Sequence, residues 1–219
     1  MTRFEHLRAT MVDNQLRTSG ITEWRLLEQM SRVPRELFVP ADRQALAYID
    51  DLQWFGQGAS RRFMMAPPTL AKLLQLAEIT QHDTVLDVGA ATGYGTAVMA
   101  GLAQSVVGLE ADAELAGKAA ANLRQLGISN ATIVAGDFGA LGRAAKFDVI
   151  IVQGALDSVP DAMLARLNDE GRLVALIRSG GVAVANVFVR TGNDFAARGE
   201  FNASLPPLDP QPAEAEFVF

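Results

Sequence analysis

The chain has 219 residues, 49% hydrophobic and 20% charged, with 19 glycines and 9 prolines; this excludes disordered, collagen-like and coiled-coil classes and suffices for one large domain or one with an appendage. Nineteen basic against twenty-five acidic residues leave a net charge of −6 with no Lys/Arg block, which argues against a nucleic-acid surface. With no cysteine and only two histidines, His6 and His82, disulfides and cysteine nucleophiles are excluded, and no metal site is expected.

The amino terminus carries Arg3, Glu5, His6 and Arg8 where a signal peptide would be apolar, and no apolar run approaches ~18 residues, so a cytoplasmic chain without a membrane contact is expected. Leu7, Met11 and Leu16 suggest one amphipathic helix, and Leu26, Leu27 and Met30 a second beyond Gly20. Val33 to Pro40, bracketed by Pro34 and Pro40, reads as a connector. Residues 51 to 66 hold Gly56, Gly58, Arg61 and Arg62, and a helix is predicted from Pro67 to Ala77.

From there short apolar runs alternate with helical segments, the signature of βαβ units on a parallel sheet. Strands are predicted at Thr84–Val88, Ser105–Glu110, Ala131–Ala135, Phe147–Val152 and Arg172–Ile177. Helices are predicted at Gly93–Leu102, Asp112–Leu126 with Asp112 as cap and Gly127 as stop, and Pro160–Leu167. Gly180-Gly181 reads as a turn into Val182–Val189, half of a terminal antiparallel pair, and the Pro-rich Leu205–Pro212 leads to a last strand at Glu216–Phe219. The fold class is therefore α/β, a doubly wound, mostly parallel Rossmann-like sheet with an N-terminal helical extension and a C-terminal antiparallel strand pair. Residues 1–66 form the helical segment and 67–219 the α/β unit.

Asp87-Val88-Gly89-Ala90-Ala91-Thr92-Gly93 lies where the first of these strands turns into a helix, at the edge where open α/β sheets bind ligands. A dinucleotide fingerprint needs a second Gly where Ala91 stands, and a phosphate loop needs a Lys-Ser or Lys-Thr after Gly93, so both are disfavoured. Glu110 ends the next strand 21 positions after Gly89, near the ~20-residue offset of a ribose-binding acid, and Asp137 follows the third strand, placed to accept from an adenine amino group. An adenosine without a pyrophosphate fits these points. S-adenosylmethionine (SAM) is such a ligand, and three acids suit its cationic centres.

Met11-Val12, Gln15-Leu16, Gly20-Ile21, Val33-Pro34-Arg35-Glu36-Leu37-Phe38-Val39-Pro40 and Ala47-Tyr48-Ile49-Asp50, together with Val85 to Tyr94, Glu110, Gly136-Asp137 and Phe147 to Val152, resemble the protein-L-isoaspartate O-methyltransferase family. The resemblance covers most of residues 10 to 177. It implies the SAM-dependent methyltransferase type of sheet, SAM as cofactor, a protein or peptide substrate carrying isoaspartate, and repair methylation of that carboxylate. Its cofactor set would be Asp87, Gly89, Ala91, Gly93, Tyr94, Glu110, Asp137, Phe138 and Gln153, with Tyr94 either touching the cofactor or shielding the turn.

The chain departs from the family in the acceptor loop, where the family reads Gly-Gln-Thr-Ile-Ser-x-Pro. Aligned from Gly56, this sequence places Ser60 at the Thr, Arg62 at the Ser and Met64 at the Pro; anchored on Pro67, Met65 takes the Ser and Phe63 the Thr. Phe138 also replaces a Gly, and Gln153-Gly154-Ala155 departs from the usual small-residue run. Ser60 and Arg62 are the candidate catalytic residues. Arg61 or Arg62 would clamp the substrate carboxylate, with solvated loop charges as the alternative. A divergent methyltransferase with another acceptor, SAM binding without repair activity, and a non-catalytic binding protein are the competing readings.

Overall fold

The computed structural model describes residues 2–56, 61–179 and 182–208. Thr2 caps helix α1 (Arg3–Met11) by accepting from the Glu5 amide while the Glu5 carboxylate accepts from the Thr2 amide, a reciprocal capping box. The helix runs on through a π turn, Val12–Leu16, and a 3₁₀ turn, Arg17–Ser19, until Gly20 at φ +86° ends it. Helix α2 (Trp24–Arg32) starts at Glu23, whose carboxylate caps the amides of Arg25 and Leu26. The connector contains a 3₁₀ turn, Arg35–Phe38, and leads through a second one, Ala41–Leu46, to the hairpin β1 (Gln53–Phe55) and β2 (Arg62–Met64).

Helix α3 (Pro67–Ala77) begins with two prolines, which lack the amide that a first turn leaves unpaired anyway. Then follow β3 (Thr84–Val88), α4 (Tyr94–Ala100), β4 (Ser105–Glu110), α5 (Ala113–Gln125), β5 (Ala131–Ala135), β6 (Phe147–Leu156), α6 (Asp161–Leu164), β7 (Leu167–Ser179), β8 (Val182–Thr191) and β9 (Asp194–Ala203). They form one seven-stranded sheet in the order β5-β4-β3-β6-β7-β8-β9, parallel from β5 to β7 and antiparallel beyond. The order reverses at β3, whose carboxyl end is thereby the switch point where an α/β sheet opens a crevice. No helix among the described residues is long and apolar enough to cross a membrane.

Apolar side chains fill both faces. Val85, Val149, Ile151 and Val174 pack with Leu73, Val98 and the N-terminal Met11, Leu16 and Met30 on one side; Leu86, Ile150, Val152 and Leu173 pack with Leu141 and Met163 on the other. This is why the central strands read as unbroken apolar runs. The Gln75 side chain ties the N-terminal segment down: its oxygen accepts from the amides of Thr22 and Glu23, and its nitrogen donates to the Gly20 carbonyl.

Several elements differ from the sequence expectation. The helix expected at Pro160–Leu167 is only the single turn α6, because Leu167 already pairs with Phe147 in β7. The sequence Asp169-Glu170-Gly171 hides this early start: Glu170 sits at φ +60°, the pairing with β6 shifts there, and a Cβ on Gly171 would stand 2.9 Å from the Asn168 carbonyl oxygen. Strand β9 is absent from the sequence reading because its residues are mostly exposed, without the apolar alternation that marks a half-buried strand. In it Phe201 lies opposite Ala185 and Gly199 opposite Asn186, so that Glu200 is an extra residue in the ladder. The Gly180-Gly181 turn and the strand expected at Glu216–Phe219 fall outside the described residues.

Candidate functional site

Every strained residue of the β3–α4 turn is fixed by a specific contact. Gly89 (φ +81°), Ala91 (φ +49°) and Gly93 (φ +90°) all take left-handed conformations, which glycine adopts freely and alanine at a cost of roughly 1 kcal/mol. The amides of Gly89 and Ala90 both donate to the Leu109 carbonyl, and the Gly93 amide donates to that of Ala90. Gly93 also lets α5 close in, since a Cβ there would sit 3.1 Å from that of Ala119. The Ala91 amide donates at 2.7 Å to Glu110 Oε2, tying the turn to the end of β4.

Beneath the turn, Asp87 is wholly buried. Thr96 donates to its Oδ2 and the Gln153 amide to its Oδ1, both at 2.6 Å. Burial, which penalises the charged form, pushes the Asp87 carboxyl up to about 6; the two hydrogen bonds oppose the rise without cancelling it. Gln153 reaches Asp87 because Gly95 leaves room, a Cβ there meeting Gln153 Nε2 at 2.4 Å.

Glu110 is also fully buried, and its carboxylate accepts from the amides of Ala91 and, at 3.0 Å, Asp112. A third partner comes from the acceptor loop. Arg62 Nη2 lies 3.4 Å from Glu110 Oε2 and Arg62 Nε 3.2 Å from Oε1, the latter without hydrogen-bonding alignment. Arg62 Nη1 donates to the Leu208 carbonyl, joining the loop to the C-terminal segment. That segment lies along β6: the Ala155 amide donates to Pro206 and the Leu208 amide to Ala155.

Outside the turn is a cavity of about 200 Å³, lined by Arg62, Gly89, Asp137, Phe138, Met163 and Leu208 among others. Small-molecule pockets span roughly 300–1,000 Å³, so this one is undersized for a nucleoside with an amino-acid arm. The missing room is filled by the chain itself. A Cβ built on Gly89 would stand 2.6 Å from Leu208 Cδ1 and 2.8 Å from Arg62 Nη2, which puts both side chains in the space this glycine leaves. The acid, the glycine cradle and Asp137 suit an adenosine-type cofactor once those two side chains withdraw. A larger cavity, about 340 Å³, lies between α2, α4 and the Ile128–Asn130 loop; Arg32 is its one titratable lining residue.

The predicted residues thus divide. Gly89, Asp137, Phe138 and Arg62 line the cavity; Ala91 and Glu110, joined by a hydrogen bond, are outside its lining, Glu110 paired with the lining Arg62; Asp87 and Gln153 lie under the turn. Tyr94 faces the N-terminal connector instead: its ring meets Phe38 edge-on at 5.5 Å, and the Arg35 guanidinium stacks over it at 4.7 Å. Arg35, itself wholly buried, donates to the carbonyls of Ala47 and Met65, both at 2.6 Å, which fixes the base of the acceptor loop on the turn. Arg61 stacks on Trp54 at 3.8 Å. Ser60 lies outside the described residues. Sequence reasoning missed Thr96, Met163 and Leu208; a threonine in the first turn of a helix after such a strand is a readable signal for the first, and none exists for the other two.

The sequence model of the protein-L-isoaspartate(D-aspartate) O-methyltransferase family matches residues 7–202. A protein-L-isoaspartate O-methyltransferase of Koribacter versatilis is 39% identical over 82% of this chain and 80% of its own length. One from Herpetosiphon aurantiacus is 38% identical over 80% and 77%. Among solved structures, a protein-L-isoaspartate O-methyltransferase superposes with a TM-score of 0.81 at 22% identity, covering 91% of this chain and 65% of that one. A Plasmodium falciparum structure assigned to the same type and solved with S-adenosyl-L-homocysteine superposes at 0.78, with 20% identity over 96% and 100%. At those identities the two structures establish a shared fold.

Proposed function

The chain belongs to the protein-L-isoaspartate(D-aspartate) O-methyltransferase family, and on that premise we propose that it moves the methyl group of SAM to the side-chain carboxylate of isoaspartyl residues in proteins and peptides. The observation that carries the reading is the buried Glu110 carboxylate at the end of β4, fixed by the turn's own Ala91 amide beside a glycine cradle. Glu110 takes the ribose hydroxyls and Asp137, at the end of β5, the adenine side, while Gly89 gives the ligand close access to the backbone. Phe138 packs on the base, and Asp87, Gly93 and Gln153 hold the turn rather than touch the reacting atoms. Residues 1–66 form the acceptor side and 67–219 the cofactor side of one unit with a common core.

When bound, SAM supplies an electrophilic methyl on a sulfonium. The acceptor needs no general base, because a carboxyl of pKa near ~3.9 is already an anion at neutral pH. The protein's work is to orient that oxygen and exclude water. Arg62 supplies the positive charge facing the acceptor carboxylate, at the position that alignment from Gly56 gives to the family's serine. Incubation with methyl-labelled SAM and a peptide carrying one isoaspartate, beside the same peptide with ordinary aspartate, should label the first alone. Label on neither peptide, or equal label on both, refutes the acceptor assignment.

A further inference from the structure

Arg62 has two incompatible places to be. As the acceptor-side cation it must face the substrate, yet here its guanidinium is inside the nucleoside end of the cleft, against Glu110 and in the space left by Gly89. We propose that Arg62 is a gate: paired with Glu110 it holds the cofactor site closed, and cofactor entry displaces it toward the acceptor, so that the cofactor must bind before the substrate does. The proposal rests on the reading of Glu110 as the nucleoside acid.

Three features make the closed pair displaceable. Glu110 already accepts from two backbone amides, so the departure of Arg62 leaves no stranded carboxylate when two ribose hydroxyls arrive to donate to it. The pair is poorly made, since Arg62 Nε is near Glu110 Oε1 but misaligned, and a buried ion pair with imperfect geometry recovers little of its desolvation cost. Finally, Arg62 is the first residue of β2, and while Phe63 and Met64 anchor that strand in the core, rotation of the long unbranched Arg62 side chain alone can withdraw the guanidinium. The second latch, Arg62 to the Leu208 carbonyl, means that opening also frees Leu208 to leave the cradle.

A closed majority state raises the apparent Kd by the inverse of the open fraction; at one open molecule in ten the penalty is about tenfold. S-adenosylhomocysteine is the probe, titrated by calorimetry into the wild type, Arg62→Gln and Arg62→Ala. Both variants should bind about tenfold tighter than the wild type. In stopped-flow, Trp54 emission, read beside the Arg61 that stacks on it, should give a wild-type association rate that saturates with ligand concentration, because opening limits it, and a variant rate that stays linear. Equal or weaker affinity in both variants overturns the gate, as does a wild-type rate that rises linearly throughout, a result independent of whether the variants fold. A wild type that shows saturating, Arg62-dependent binding but leaves an isoaspartyl peptide unlabelled would refute the acceptor assignment while the gate stands.

Discussion

Asp87 holds its proton more tightly in the folded chain than out of it, with a pKa of about 6 against an ordinary 3.8. A raised acid stabilises the fold fully below pH ~3.8, and that contribution is lost as pH rises through about 6, roughly 3 kcal/mol in all. Asparagine keeps both hydrogen bonds, accepting from Gln153 and donating to Thr96, without the charge. The wild-type urea midpoint should therefore fall from pH 4 to pH 7 relative to that of Asp87→Asn; a parallel pH dependence would exclude this role. Gly93→Ala adds left-handed strain at φ +90° and a contact 3.1 Å from Ala119 Cβ, and should lower stability by about 2 to 3 kcal/mol, or roughly 5 to 10 °C in a melt. Much of this site is legible in the sequence because Gly89, Glu110 and Asp137 each stand at or just beyond the end of a strand that the apolar pattern marks. Leu208 is not legible: it meets Arg62 across 146 positions, and no local periodicity encodes that contact.

At the scale of elements, the central strands were readable because burial on both faces leaves unbroken β-branched runs, and α5 because Asp112 and Gly127 bracket it. The carboxyl-side elements were less so, since a bulge at Glu170-Gly171 and a solvent-facing β9 follow no period. Two contacts between elements are testable. Gln75→Ala removes all three hydrogen bonds that pin residues 20–23 to α3, and should cost about 1 to 2 kcal/mol by urea denaturation, with an unchanged midpoint telling against the tie. Gly154→Ala places a Cβ 2.6 Å from Leu208 Cα, which must lift the 205–208 segment off β6. Amide exchange at Ala155 and Leu208 should then quicken by at least about tenfold, whereas unchanged protection would mean that the segment is held elsewhere.

For the whole molecule, one core joins the N-terminal helices to the sheet, so ligand bound at the β3 turn should stabilise the whole chain in a single transition. With S-adenosylhomocysteine at 100 times its Kd the gain is about 2.7 kcal/mol, roughly 5 to 11 °C in a thermal scan; a flat response would remove the cofactor assignment. The far edge of the sheet has a different role. Strand β9 is ten residues long and, among the described residues, last in the order, and its one surplus residue, Glu200, sits in a stretch that also carries Arg198. A straight strand of that length would invite a neighbouring molecule to continue the ladder, while a kinked and charged one presents no matching line of donors and acceptors. Glu200 is in this sense a keep-away device: excising it would realign the margin into a seam along which copies could zip together in proportion to their concentration.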